Sequence, residues 1–266
     1  MTARNFISSD GVQLAYEDIG HGGSTPIVLC HGLAATGEQF AADATFLVSH
    51  GHRVLVPHLR GHGRSATPSP LNPASLGIER LASDLIEMLD DAGVDRVHWV
   101  GNSLGGIVAL EMLAARRFRS LATFGTTYAI KLPRIGGHRL IQLGHTVLGG
   151  NTIAAITARL TSPDPAARRL IEKMLRETRP DVVAMLAGVL THYDLIAAGV
   201  ATDIPVLMLR CGRDRVVNAG LAQTLLAMRR KPNFQIVDVP TGGHVANLDA
   251  TDAVRAALIA FWSQVR

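Results

Sequence analysis

Long apolar runs are missing from this chain. No stretch approaches the length a bilayer requires, so no membrane span is expected. The first twenty residues, MTARNFISSDGVQLAYEDIG, have neither an apolar core nor a cleavage site. No signal peptide is expected from them, and the cytoplasm is the default location. Cysteine is scarce: Cys30 and Cys211 each close an apolar, strand-like run. They read as buried free thiols, with a disulfide left open. Charge is sparse too, at 18% of residues and a formal net charge of +4. The basic clusters, Arg116-Arg117-Phe118-Arg119 and Arg229-Arg230-Lys231, fall near helix ends, where cations complement the dipole. Without a long basic stripe, nucleic acid is not an expected partner. There is no Gly-x-Gly-x-x-Gly and no Walker A sequence, so no nucleotide cofactor is expected. His58 with His62, and His50 with His52, lie around a strand and a glycine loop, and no cysteine or carboxylate completes a metal set.

What is present begins with size. The chain has 266 residues, 47% of them hydrophobic, which fits an ordered protein with a full core. Its most informative stretch is Gly101-Asn102-Ser103-Leu104-Gly105. An apolar run, Arg96–Val100, precedes it and reads as a buried strand; Gly106–Leu113 follows with helical spacing. A Gly-x-Ser-x-Gly between strand and helix is a nucleophile elbow. The serine is expected at a sharp turn with strained backbone angles. Side chains at the flanking glycines would collide with the neighbouring strand or helix.

The chain alternates strand-like and helix-like stretches. Asn5–Ser8 and Val12–Glu17 read as a hairpin around Asp10-Gly11. Pro26–Cys30 and Arg53–Pro57 are wholly apolar, as in strands covered on both faces. Glu79–Asp91 has helical spacing and Gly93 marks its stop. Leu121–Gly125 is a further strand. Between Tyr128 and Val200 no strand is expected. That span instead carries helical stretches at Arg139–Leu148, Thr152–Leu160, Ala166–Thr178 and Asp181–Leu190, punctuated by Gly149-Gly150, Pro163, Pro165 and Pro180. Alternation then resumes with strand Pro205–Leu209, helix Leu221–Met228, strand Phe234–Val239 and helix Ala253–Trp262. Such alternation implies a mostly parallel sheet with helices on both faces. The expected organisation is a core domain of residues 1–127 and 201–266, with residues 128–200 inserted as a helical cap.

A serine hydroxyl is a poor nucleophile at neutral pH. It needs a base to take its proton, and the base needs an orienting acid. Asp214, in Cys211-Gly212-Arg213-Asp214, follows one strand; His244, in Thr241-Gly242-Gly243-His244, follows the next. Ser103, Asp214 and His244 therefore all sit at the carboxyl ends of parallel strands, where open α/β sheets place ligands. Attack on a carbonyl makes an oxyanion that needs preplaced donors. The backbone N–H groups of Leu33, in His31-Gly32-Leu33, and of Leu104 are the candidates. His31 reads as shaping that loop.

These residues, with Arg60-Gly61-His62-Gly63-Arg64-Ser65, resemble the α/β-hydrolase superfamily over essentially the whole chain. The resemblance implies an eight-stranded, mostly parallel sheet under a helical cap. Within the superfamily the elbow with Gly106 is similar to carboxylesterases, enol-lactone hydrolases and carbon–carbon-bond hydrolases. Three positions depart from the pattern: His58 stands where Asp is frequent, Asn218 where Pro is common, and Val245 where the carbon–carbon hydrolases carry Trp. A serine nucleophile argues against haloalkane dehalogenation, which needs a carboxylate. The expectation is a cofactor-independent serine hydrolase that cleaves a carboxylic ester or lactone through an acyl-enzyme. The alternatives are a carbon–carbon-bond hydrolase of ring-cleavage products, an acyltransferase or perhydrolase on the same triad, and a hydrolase-fold ligand receptor. Tyr128, His145, His192 and Val245, with Leu33 and Leu104, are the candidates for a largely apolar substrate pocket. Arg134, Arg139 and Arg159 could clamp a carboxylated substrate. The expected partner is a small ester or lactone with an apolar part; oligomeric state is not readable.

Overall fold

A computed structural model describes residues 2–131 and 149–265. Ten strands are described: β1 Thr2–Ile7, β2 Gln13–Ile19, β3 Ile27–Cys30, β4 Val54–His58, β5 Val97–Asn102, β6 Phe118–Phe124, β7 Ala129–Lys131, β8 His192–Asp194, β9 Val206–Cys211 and β10 Phe234–Val239. The described helices are α1 Ala41–Ser49, α2 Ile78–Asp91, α3 Leu104–Glu111, α4 Gly150–Thr161, α5 Pro165–Glu177, α6 Pro180–Val189, α7 Ile196–Ala201, α8 Leu221–Met228, α9 Ala246–Asp249 and α10 Thr251–Trp262.

Eight strands form one sheet in the order β1-β2-β4-β3-β5-β6-β9-β10. β1 and β2 are antiparallel, and β2 runs antiparallel to β4; from β4 onward every neighbour is parallel. The chain therefore winds outward in both directions from β3 and β5, and their carboxyl ends lie side by side. Period-two alternation sends Val28, Cys30, Leu55 and Trp99 into the layer under α2 and α3. It sends Ile27, Leu29, Val54, Val56 and Val100 to the opposite layer, against α1 and α10. Both faces are dry, which is why these strands read as unbroken apolar runs. Each such side chain, fully buried, contributes about 1.5–3 kcal/mol. Cys30 and Cys211 are free and buried in opposite layers, so the thiol reading stands and the disulfide does not. Burial pushes the Cys211 thiol up to about 12, leaving it unreactive at neutral pH.

Helix α2 follows the sequence reading closely. Leu81, Leu85, Met88 and Leu89 are buried on one face, and Gly93 (φ +65°) takes the left-handed turn beyond its end. The loop after β4 is anchored by a buried guanidinium. Arg60 Nη2 lies 2.6 Å from Asp84 Oδ1, and Arg60 Nη1 lies 2.7 Å from Asp10 Oδ2. The same loop is stitched by Ser65, whose hydroxyl donates to His58 O and accepts from the N–H of Ala15.

One expectation fails between 128 and 200. The three-residue strands β7 and β8 pair antiparallel, Ala129 opposite Asp194. Segments this short have no alternation to read, so sequence periodicity passed over them. Helices α4, α5 and α6 lie where helical spacing was expected. Asp164 caps α5 by accepting from the N–H of Ala167 at 2.8 Å, with Pro165 in the first turn. The expected helix Arg139–Leu148 falls outside the described residues. No helix among those described is long and apolar enough to cross a membrane.

Candidate active site

The site is built where β5 meets α3. Ser103 sits between them at φ 50°, ψ −115°, a left-handed conformation that a serine adopts only under constraint. Its N–H donates to Phe124 O at 3.0 Å, and its carbonyl accepts from the N–H groups of Gly106 and Ile107. The flanking glycines are sterically obligatory. A Cβ on Gly101 would lie 2.5 Å from Gly106 N and 2.6 Å from Gly105 C, inside the helix backbone. A Cβ on Gly105 would lie 2.7 Å from Cys30 C and 2.8 Å from His31 O, inside the end of β3.

Asp214 and His244 are brought together from loops after β9 and β10. His244 Nδ1 lies 3.0 Å from Asp214 Oδ2. An ionised carboxylate only accepts, so Nδ1 carries the hydrogen of this bond. The other carboxylate oxygen accepts from the N–H groups of Val216 at 2.7 Å and Val217 at 3.1 Å. Burial works to raise the Asp214 carboxyl. The His244 hydrogen bond and charge, with the two N–H groups, outweigh it and hold the carboxyl below its usual range.

His244 is tied to the elbow through its backbone. Asn102, the residue before Ser103, donates from Nδ2 to His244 O at 2.8 Å. From the other side, His244 N–H donates to Thr161 O at the end of α4 at 2.8 Å. Gly125 (φ +60°) lets this loop close down: a Cβ there would sit 2.7 Å from His244 O and 3.0 Å from its Nδ1.

The loop after β3 covers the serine from the other side. A Cβ on Gly32 would lie 3.3 Å from the Cβ of Ser103. Two buried imidazoles shape this loop. His31 Nδ1 donates to Gly32 O at 2.8 Å while its Nε2 accepts the Leu59 N–H at 3.1 Å. His62 Nδ1 donates to Arg60 O at 3.0 Å while its Nε2 accepts the Ala34 N–H at 3.1 Å. Burial keeps both rings neutral, pushing His62 down to about 4 and His31 well below its ordinary value. Ala34 is held at φ +56°, next to Leu33. Among the described residues, neither the Leu33 nor the Leu104 N–H has a hydrogen-bond acceptor. Paired backbone donors without acceptors are the kind of group that can stabilise an oxyanion.

Sequence reasoning missed the polar network behind the elbow. Gln39 Nε2 donates to Asn102 Oδ1 at 2.9 Å and to Asn247 Oδ1 at 3.2 Å. Asn247 Nδ2 then donates to Asp43 Oδ2, whose partner oxygen accepts from Arg255 Nε at 2.8 Å. Only Asn102, inside the elbow itself, carried a signal; Gln39 and Asn247 lie 208 positions apart and meet only in the fold.

The expected pocket residues divide. Val245 is buried with Ala35 of the β3 loop and with Ala158, Ala167, Ile171 and Met174 of α4 and α5. Tyr128 is fully buried in the main core, with its ring filling the space beside Gly199. Its N–H donates to Thr224 Oγ1 of α8, and its carbonyl accepts from the N–H of Leu195, just before α7. His192 is exposed on β8, paired across to Lys131. His145, with Arg134 and Arg139, lies outside the described residues. His58 is buried, and neither ring nitrogen has a hydrogen-bond partner among the described residues. Asn218, where Pro was the family expectation, donates to Cys211 O at 2.8 Å and so braces the acid loop.

A sequence model of the Alpha/beta hydrolase family matches residues 27–257. The chain is 26% identical, over 94% of its length and 67% of the relative's, to the dihydrolipoyllysine-residue acetyltransferase component of the acetoin cleaving system of Pseudomonas putida. It is 28% identical, over 92% of its length and 94% of the relative's, to a protein of Azorhizobium caulinodans named as a carbamate hydrolase, RutD. Four other curated relatives are matched over only 31% to 40% of their own length. Among solved structures, a hydrolase from Pseudomonas aeruginosa PA01 superposes with a TM-score of 0.85 at 25% identity, covering 98% of each chain.

Proposed function

Because the chain belongs to the alpha/beta hydrolase family, we propose that it is a serine hydrolase that cleaves carboxylic esters or lactones through an acyl-enzyme. The observation that carries this reading is the Asp214–His244 pair, 3.0 Å apart. Its histidine is hydrogen-bonded through its own carbonyl to the residue preceding Ser103.

In this mechanism His244 Nε2 takes the Ser103 proton as Oγ attacks the carbonyl carbon. The oxygen of the tetrahedral intermediate becomes an oxyanion and accepts from the Leu33 and Leu104 N–H groups. As the intermediate collapses, imidazolium Nε2–H protonates the leaving alkoxide, and the alcohol departs from an ester or stays tethered from a lactone. Water then gives a proton to His244 and attacks the acyl carbon. Collapse of the second intermediate breaks the bond to Ser103 Oγ, which recovers the proton, and the acid is released. Asp214 remains ionised throughout and stabilises the charged imidazole. The pinned, neutral His31 and His62 are positioning residues for the oxyanion loop.

Residues 128–200 serve in this reading as a cap over the site. Two contacts support it: the Thr161 carbonyl on His244 N–H, and Val245 packed against α4 and α5. The test needs no knowledge of the natural substrate. A fluorophosphonate probe should label the protein at one residue, Ser103, located by peptide mass spectrometry. Ser103→Ala should abolish labelling, and a panel of aryl esters of rising acyl length, with lactones, should be hydrolysed by the wild type alone. Equal labelling of both proteins rejects the nucleophile. Inert esters with turnover of ring-cleavage dienes would move the reaction to carbon–carbon bonds.

A further inference from the structure

Beside the Asp214 loop lies a cleft of about 440 Å³ between the end of α4 with the start of α5 and the stretch Gly212–Arg215. That volume is in the range of small-molecule sites. Four arginines line it: Arg159 and Arg168 from α4 and α5, Arg213 and Arg215 from the loop after β9. Among the described residues none of the four forms an ion pair with a carboxylate. The stretch 132–148, which lies outside the described residues, contains no Asp or Glu to supply one.

The nearby carboxylates are committed elsewhere. Asp214 holds His244 and two backbone N–H groups. Asp164 caps α5 through the Ala167 N–H. Asp249 accepts from the Ser162 hydroxyl and, at 2.8 Å, from the Gly243 N–H. Arg168 is itself fixed, donating to Ser162 O at 2.8 Å and to Pro163 O at 3.1 Å. The four guanidinium charges outnumber the single carboxylate in the wall, Asp214, so the cleft carries a net positive charge that attracts an anion. Guanidinium groups also present the paired donors that carboxylate and phosphate oxygens accept in parallel. The cleft adjoins the chemistry, since Asp214 is part of its wall and Thr161, the neighbour of Ser162, holds His244 N–H.

From this placement we propose that the cleft binds an anionic oxygen group, a carboxylate or phosphate, carried by the substrate at the end remote from the scissile bond. The substrate class becomes anionic esters or lactones, an assignment that rests on the serine-hydrolase reading above. Arg213 and Arg215, exposed on a short loop, are the specificity-determining residues.

The test has a binding arm and a kinetic arm. In the Ser103→Ala background, titration calorimetry with glutarate and, separately, inorganic phosphate should detect one of the two anions. Binding should weaken as salt is raised. Adding Arg213→Gln and Arg215→Gln should weaken it about tenfold, the loss expected for two exposed guanidinium–anion contacts. With Ser103 intact, the ratio of kcat/KM for the 4-nitrophenyl monoester of glutaric acid (or its phosphate-bearing counterpart) to that for 4-nitrophenyl valerate should fall by a similar factor. Absence of binding by either anion, or equal affinity with and without the two arginines, overturns the site. Arginine-dependent binding with an unchanged kinetic ratio overturns its role in substrate choice. Arginine-dependent binding in a protein whose Ser103 cannot be labelled locates the failure in the hydrolase reading and leaves the anion site standing.

Discussion

Replacing Asn102 by Ala tests how the elbow and the histidine loop are joined. Asn102 Nδ2 donates to His244 O at 2.8 Å and to Phe124 O at 3.2 Å, and its Oδ1 accepts from Gln39 at 2.9 Å. These three bonds are not equal. Phe124 O keeps the Ser103 N–H and the Thr126 hydroxyl, and Gln39 Nε2 keeps Asn247. His244 O has no second donor among the described residues, so the substitution leaves a buried carbonyl unpaired, at about 1–3 kcal/mol. With the smaller net loss at Gln39, the expected destabilisation is about 2–4 kcal/mol, a large share of an ordinary domain's stability. The kinetic effect has a separate origin. Once its carbonyl is released the imidazole drifts, and a shift of the order of 1 Å costs up to about a hundredfold in rate. Urea denaturation should therefore show a lower midpoint, and fluorophosphonate labelling of Ser103 should slow by about ten- to a hundredfold. Asn102→Asp keeps the acceptor for Gln39 but turns a carboxylate toward His244 O, and should be worse than Ala. A wild-type midpoint and labelling rate in Asn102→Ala would refute the argument.

Three further outcomes are expected. Gly101→Ala drives a Cβ into the backbone of Gly105 and Gly106, and should lower stability by about 2 kcal/mol or more, seen as a depressed melting temperature. Asp214→Asn should keep the fold, checked by circular dichroism, while turnover falls by about three to four orders of magnitude; near-full activity would place the acid elsewhere. The third concerns pH. His62 has a folded value of about 4 against an ordinary one of about 6.5, so between them the unfolded chain binds more protons. Its contribution is complete above about pH 6.5 and lost as pH falls through about 4, on the order of 3 kcal/mol. Denaturation midpoints should drop across that window, and His62→Gln should flatten part of the drop; His98, also pushed by burial to about 4, accounts for a share that remains. A pH-independent midpoint would show that neither ring is held neutral.

The readable parts of this protein are those where one local rule governs. Leu81, Leu85 and Leu89 recur at helical spacing, and α2 lies where they place it. Pro26–Cys30 is apolar throughout because β3 is covered on both faces, and that is how it reads. The elbow is legible because Gly101 and Gly105 each abut backbone, which only glycine tolerates. The β7–β8 pair was not legible, since three residues per strand offer no period. The burial of Tyr128 was not legible either, because an isolated aromatic gives no sign of which layer will enclose it.

By itself the chain's order of residues determined its layered sheet and the strand ends at which Ser103, Asp214 and His244 emerge, because burial pattern and backbone sterics act over a few neighbouring positions. Only the tertiary structure decided which groups from distant stretches meet. Asn102 reaching His244, His62 holding Ala34, and arginines of α4, α5 and the β9 loop facing one cleft all depend on loops docking. Those meetings are set by the packing of whole layers, whose energy is non-directional and leaves no spacing to read along the chain.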